Sequence, residues 1–566
     1  MLIKSLILSF IIFYLSTLFA RNNRIQIILS YRFSVTKVII PFMIITLLFC
    51  YIFPASYYFP HNNGVLGDNY FHLDKALLNP GYIKHHHPLF PLISEIFIRL
   101  LLKINVLSAE SPTFLEQAYY WSILPISLAV SIAIGLFSFM IYRKGASTFQ
   151  WIIVFLLLAT SYGLWLWGIQ SNAIGLAMAV ELIGAVLFIF WFQSKNYWRL
   201  ILFAIAISIG VFVHNGLIYF AIGGVISILI VLITNKNDSV KSKFTQFSVF
   251  SMVVIIMATA YYILQAKVNH TYNIGKLFAI LSDSNYFGSF GSSNIDYVNN
   301  IERNFWAGIY GLIGFYYENK HPYWATSKID LGMAYENIWV KIIQMGSVFS
   351  LLMFLVYFSF WKKISPSRGL YILGLANTII FLIGFTLRQA GTHYYVLALV
   401  PNLVLIIAFV TSNKNSQVSK FSYFLPIVLI IICNLYFNAF TKLSVFEGTN
   451  INDHPYYERS NRILQLANGY DAYYFSKIDM AYYPNLALSK YYEEKFRSIE
   501  WISEWGNKEQ LLYQIINLLG SNNVVFLDES AYDILNGQDN IELKKINNNM
   551  YVAQVIVKNN TKELLH

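Results

Sequence analysis

The residues best suited to chemistry crowd into one stretch, GDNYFHLDKALLNPGYIKHHHPLFPL at 67–92, with two aspartates, four histidines and two lysines. Asp68 follows Gly67 where an apolar run should leave a bilayer, and partial desolvation there makes a carboxylate a more usable general base. His72 lies four residues on and shares a face with Asp68 if the segment is helical, whereas Asp74 points elsewhere. A helix N-cap would also explain Asp68 taken alone. His86 and His87 stand directly before Pro88, a residue suited to the first position of a helix, and the residue before a proline is held extended. Helix starts offer backbone N–H groups to anions, so the two imidazoles form a candidate phosphate or pyrophosphate pocket. A solvated polar loop is the competing reading. Metal binding by His85 to His87 has little support, because adjacent residues rarely converge on one ion and no Cys or paired carboxylate joins them.

The rest of the chain says where such a loop must sit. Of 566 residues, 57% are hydrophobic, 17% aromatic and only 12% charged, against roughly a quarter charged in soluble domains. Runs such as VIIPFMIITLLFCYIFPASYYF (38–59) reach the roughly 20 residues that cross hydrocarbon as helix. The expected fold is mainly α: a polytopic membrane protein of about twelve transmembrane helices with exterior interfacial helices. The spans fall near 2–20, 38–59, 119–141, 150–168, 173–193, 200–213, 215–233, 246–265, 338–360, 369–387, 393–411 and 421–438. A formal charge of +11 needs no nucleic acid, since Lys and Arg beside apolar spans set orientation. The basic connections at 21–37, 142–145, 193–199, 235–243, 361–368 and 413–420 recur at every second link, as the positive-inside rule requires. That alternation needs two spans turning at HNG (214–216). It leaves 60–118, a turn near 169–172, 266–337, RQAGTHYY (388–395) and the chain beyond 440 on the exterior side.

After the histidines, PLFPLISEIFIRLLLKI repeats apolar residues at Leu89, Leu92, Ile93, Ile96, Phe97, Leu100, Leu101 and Ile104. Ser94, Glu95, Arg99 and Lys103 hold the opposite face, with Glu95 and Arg99 spaced as an i,i+4 pair. Such a helix is too polar and short to cross and should lie in the interface. The segment FWAGIYGLIGFYY (305–317) suggests a second surface-lying aromatic segment. Glu181, deep in a span, is a functional candidate by its cost alone, with His214, Arg388 or neutral hydrogen-bonding groups as possible partners. Cys50 and Cys433 sit in apolar spans and read as small buried residues. The first apolar run has no small-x-small cleavage site and is long enough to remain as an anchor.

Two domains are expected, 1–439 polytopic and catalytic, 440–566 exterior. In the second, strand-like DAYYFSKI, NNVVFLDES and MYVAQVIVK and a helical NKEQLLYQIINLLGS (507–521) point to a small C-terminal α/β domain.

Gly67-Asp68, Tyr70, Ala76 and His86-His87-Pro88-Leu89-Phe90-Pro91-Leu92 resemble the first exterior loop of GT-C membrane glycosyltransferases, of the protein mannosyltransferase and aminoarabinose transferase kind. RQAGTHYYVLALVPNLVLIIAFV (388–410) resembles that family's exterior basic turn leading into a P-x-L span. The resemblance implies a polyprenyl-phosphate-sugar donor, Asp68 as catalytic base, and His86, His87, Arg388 and His393 on the donor phosphate, with Tyr70 and His72 nearby in the substrate site. Asn69 stands where many relatives carry a second acid, so no metal site or other cofactor is implied. The partners implied are a lipid-linked sugar donor and a glycan, lipid or protein acceptor at a plasma or bacterial inner membrane. A surface-polysaccharide polymerase or ligase is the nearest rival. A secondary transporter would need repeats and paired midplane charges, and the charges here crowd the interface instead.

Overall fold

In the computed structural model of the chain, residues 2–22, 27, 36–54, 88–108, 114–143, 147–169, 173–235, 238–268, 272–275, 301, 312–313, 338–361, 368–387, 423–440, 472–476, 496–500, 524–528, 541–547 and 550–555 are described. The helices are α1 (Leu2–Arg21), α2 (Thr36–Leu47), α3 (Phe90–Lys103), α4 (Phe114–Arg143), α5 (Thr148–Thr160), α6 (Tyr162–Gly168), α7 (Ala173–Ser194), α8 (Tyr197–Val213), α9 (Ile218–Thr234), α10 (Val240–Val268), α11 (Ile338–Trp361), α12 (Arg368–Leu387) and α13 (Phe424–Phe440). Among the described residues, Trp121–Arg143, Ala173–Ser194, Asn215–Thr234 and Val240–Lys267 are long and apolar enough to cross a membrane. Shorter apolar stretches lie in α1, α2, α5, α8, α11, α12 and α13. The molecule is mainly helical. Spans expected at 393–411 and the helix expected at 507–521 lie outside the described residues.

Local chemistry sets the helix ends. Ser147 caps α5 with a reciprocal capping box: its hydroxyl accepts from Gln150 N at 3.2 Å, and Gln150 Oε1 accepts from Ser147 N at 2.8 Å. Asn196 caps α8 by accepting from Trp198 N at 2.9 Å. The span expected as one piece at 150–168 is instead two helices. Ser161, at φ −58° and ψ 131°, interrupts them, its N–H still bonded to Leu157 O and its own carbonyl restarting the ladder at Trp165 N. The proposed turn at His214-Asn215-Gly216 is present. His214 is extended, Asn215–Leu217 forms a single 3₁₀ turn, and α9 folds back on α8 so that Gly224 meets Phe203 and Ile207.

Packing contacts fix the directions of the helices. Lys4, Leu8 and Phe13 of α1 meet Trp339, Gly346 and Phe354 of α11 in that order, so the two run parallel. α13 runs against both: Phe424 stacks on Phe19, while Asn434 reaches Gln344. α2 runs alongside α5 and α6, with Phe42 on Trp151 and Tyr51 on Gly168. Gly223 with Asn377, and Tyr219 with Gly384, make α9 and α12 antiparallel. Trp191 Nε1 donates to Gln246 Oε1 at 3.2 Å where α7 ends and α10 begins.

These directions sort the helix ends into two sets. The described helix ends beside the short basic connections gather at one end of the bundle, which carries Arg21, Arg143, Lys195, Arg199, Lys241 and Lys243. The long connections leave from the opposite end, hereafter the loop end. Arg99, Lys103, Lys267 and Lys341 stand at the loop end beside long connections, whose charge counts little in orientation, and Lys4 stands there at the start of α1.

Five described strands, β1 (Ala472–Ser476), β2 (Phe496–Glu500), β3 (Val524–Asp528), β4 (Ile541–Asn547) and β5 (Met550–Val555), form one sheet in the order β2-β1-β3-β5-β4. β1 is parallel to β2 and β3, with Tyr474 opposite both Ser498 and Phe526; β3–β5 and β5–β4 are antiparallel. Consecutive Val525, Phe526 and Leu527 are all buried, so β3 is covered on both faces. The three strand-like runs are β1, β3 and β5; β2 and β4 carry charge in FRSIE and IELKKIN and do not stand out by apolar content.

Candidate active site

The α8–α9 turn is the junction of the loop end. Phe212, next to last in α8, would leave its carbonyl without an intrahelical partner; it accepts from Leu89 N at 2.9 Å, the residue just before α3. His214 is buried and its Nδ1 accepts from Gly216 N at 2.9 Å, which leaves the proton of the neutral ring on Nε2. The Tyr261 hydroxyl of α10 donates to Asn215 Oδ1 and is also bonded by the Gln265 side chain. The Phe212 ring meets the Tyr261 ring edge-on, centroids 5.1 Å apart.

The helix α3 corrects three expectations. It begins at Phe90, with Pro91 rather than Pro88 in its first turn. Leu89 N–H is used by Phe212 and Pro91 has none, so this start offers an anion fewer donors than expected. The buried face is Phe90, Pro91, Ser94, Glu95, Ile98 and Leu101, while Ile96, Leu100 and Ile104 are exposed. The Glu95–Arg99 pair forms as expected, Arg99 Nε to Glu95 Oε1 at 2.7 Å, with Glu95 buried and Arg99 exposed. The exposed face mixes Ile96, Leu100 and Ile104 with Arg99 and Lys103, the composition of a helix lying at a lipid–water interface.

Asp68, Tyr70, His72, His86, His87, Arg388 and His393 all lie outside the described residues. Their chain neighbours do not. Tyr51, in a π-helical turn at Leu48–Ile52, packs on Gly168 at the loop end of α2, and π turns concentrate at functional sites. Pro88, next to His87, is buried beside the Phe212 contact. Leu387, next to Arg388, ends α12 at the same end. The connections bearing the candidates therefore depart from, or return to, one end of one bundle.

Three features were not legible in the sequence. Leu312 and Ile313, the two described residues of 305–317, are buried, and their carbonyls accept from Asn434 Nδ2 (2.9 Å) and Gln344 Nε2 (3.1 Å) on two different helices. The π turn and the Tyr261–Asn215 bond had no local signal beyond the HNG turn. Glu181 is fully buried in α7. Cys50 and Cys433 are free thiols. Among the described residues no group of three or more His, Cys, Asp or Glu assembles.

Over 92% of this chain and 98% of the other, the structure overlays ArnT from Cupriavidus metallidurans bound to undecaprenyl phosphate, with a TM-score of 0.52 at 10% identity. The chain has the ArnT fold. The apo structure of the same ArnT gives a TM-score of 0.38 at 10% identity, over 88% of this chain and 96% of that one. No protein-family model and no curated protein matches the chain. The fold shared with ArnT runs the length of both chains.

Proposed function

We propose that this protein is a membrane glycosyltransferase that moves a sugar from a polyprenyl-phosphate donor to an acceptor hydroxyl on the exterior side. The observation that carries the reading is the fold shared with ArnT along nearly the whole chain, with ArnT holding undecaprenyl phosphate. The convergence of the candidate connections on one end of the bundle supports it.

The mechanism is a single inverting displacement. The acceptor oxygen attacks the anomeric carbon, the bond from that carbon to the phosphate oxygen breaks, and the electron pair leaves with the lipid phosphate. Asp68 takes the hydroxyl proton. His86, His87, Arg388 and His393 neutralise charge developing on the leaving phosphate, an effect of several kcal/mol in a water-poor site (about 3 per donor). Tyr70 and His72 orient the substrates. The polytopic part, 1–439, carries the chemistry, and 440–566 is an exterior accessory domain. The acceptor is a glycan, a lipid or a protein.

Replacing Asp68 with Asn in folded protein should lower sugar transfer by about 100-fold or more, the scale of a lost general base. Undiminished transfer would remove Asp68 from the reaction. A polymerase or ligase would accept an oligosaccharide donor and refuse a monosaccharide one. Uptake without a covalent product would favour a transporter.

A further inference from the structure

The outer face of α3 is sorted into two rows. Phe90, Ile98 and Leu101 are buried against the bundle, so the helix cannot roll and the same side chains always face outward. Ile96, Leu100 and Ile104 form one exposed row, and Arg99 and Lys103 form a second beside it. That face carries two cations and no acid, because Glu95, the one acid of α3, is buried. The partners of Phe90 give the level of the helix. It packs with Ile126 and Ala173; Ile126 lies in the first two turns of the apolar stretch Trp121–Arg143, and Ala173 opens Ala173–Ser194. The start of α3 therefore sits at the edge of the apolar layer, where an apolar row reaches about 5–10 Å into the headgroup–acyl boundary. Cations at that level face lipid phosphates. Arg99 is also aligned: its Nε donates to Glu95 Oε1 at 2.7 Å, while its side chain stays 45% exposed and that of Glu95 only 6%. The buried carboxylate takes one edge of the guanidinium and leaves the terminal N–H groups to a partner outside.

We propose that Arg99 and Lys103 form a docking site for an anionic phospholipid, with its phosphodiester on the two cations and an acyl chain along Ile96 and Leu100. The planar fork of Arg99 matches the phosphate oxygens, and Lys103, one turn on and about 6 Å further along the axis, reaches the same group on its flexible stem. An anionic headgroup fits better than a zwitterionic one, since the outer face offers no acid to a headgroup ammonium. Glu95 touches no lipid and is a positioning residue for Arg99. The proposal goes beyond sugar transfer and does not depend on it.

The test titrates the detergent-solubilised full chain with phosphatidylglycerol and reads the affinity of the first bound lipid by native mass spectrometry. Diacylglycerol is the phosphate-free control, and inorganic phosphate is the lipid-free competitor. Lys103→Gln and Arg99→Gln should each weaken phosphatidylglycerol by about fivefold, the scale of one cation at a lipid surface, and leave diacylglycerol unchanged. Lys103 is exposed and holds no buried group, so Lys103→Gln decides the matter even if Arg99→Gln, which strips Glu95 of its cation, fails to fold. Lys241→Gln with Lys243→Gln, at the opposite end of the bundle, should leave the first lipid as tight as in wild type. Wild-type affinity in Lys103→Gln, equal weakening for both lipids, or an equal loss in the Lys241 and Lys243 pair would each overturn the proposal. So would displacement of the lipid by inorganic phosphate, which would make this a site for a free anion. Glu95→Gln separates alignment from plain attraction: it removes a negative charge beside the site, yet it should weaken phosphatidylglycerol, and tighter or unchanged binding would overturn the positioning role.

Discussion

Lys195 ends α7 in the left-handed region at φ 52°, with its N–H on Trp191 O at 2.7 Å and its ammonium 4.3 Å from the Trp191 ring and 4.9 Å from Phe192. Burial pushes the ammonium down to about 8, and the Asp238 carboxylate acts the other way. The ring faces also favour the charged form. A lysine whose folded value lies below its unfolded one binds fewer protons when folded, so its contribution rises with pH between the two and is lost as pH falls through the folded value. The melting temperature of wild type relative to Lys195→Met should therefore climb from pH 8 toward 10.5 and stay flat below 8; thermal melts of both proteins across that range check this. At the same scale, the Glu95–Arg99 pair was readable from spacing, but the burial of Glu95 was not. Amphipathic patterns are read against water, and here Ile96 and Leu100 point outward beside Arg99 and Lys103 while Ser94 and Glu95 turn in.

Helices in hydrocarbon associate where small residues let them approach. α9 and α12 show this at Gly223, where a Cβ would collide with the Asn377 amide. Asn377 is fully buried, and neither side-chain atom has a hydrogen-bond partner among the described residues. Gly223→Ala should thus cost about 1–3 kcal/mol by overpacking, and Asn377→Ala in the same chain should recover most of it. Denaturation of the two variants and their combination measures the coupling, and additive losses would contradict it. Length and hydropathy sufficed to place most of the described helices of the bundle. They did not reveal the break at Ser161, because a serine in an apolar run ends a helix only when its backbone turns extended. Nor did they reveal the grip of Gln344 and Asn434 on Leu312 and Ile313, which joins residues far apart in the chain.

At the scale of the whole molecule, the described helix ends beside the short basic connections meet at one end of the bundle and those beside the long ones at the other, which the positive-inside rule assigns to cytoplasm and exterior. The assignment is open to labelling. With Cys50 and Cys433 changed to Ser, a cysteine at Lys243 should resist a membrane-impermeant maleimide in intact cells, while one at Tyr272, just past α10, should react. Reaction of both from outside, or protection of both, would contradict the proposed sidedness.

Composition, span length and the spacing of Lys and Arg were enough to determine a polytopic helical protein with alternating ends, because solvation in lipid acts on each segment separately. The resemblance of one loop pointed to the chemistry. Only tertiary structure decided which face of α3 turns inward, where α8 stops, and that Phe212, Asn215 and Tyr261 form one junction. Those outcomes depend on partners far apart in the chain, Leu89 with Phe212 and Asn215 with Tyr261, and no local pattern encodes such a meeting.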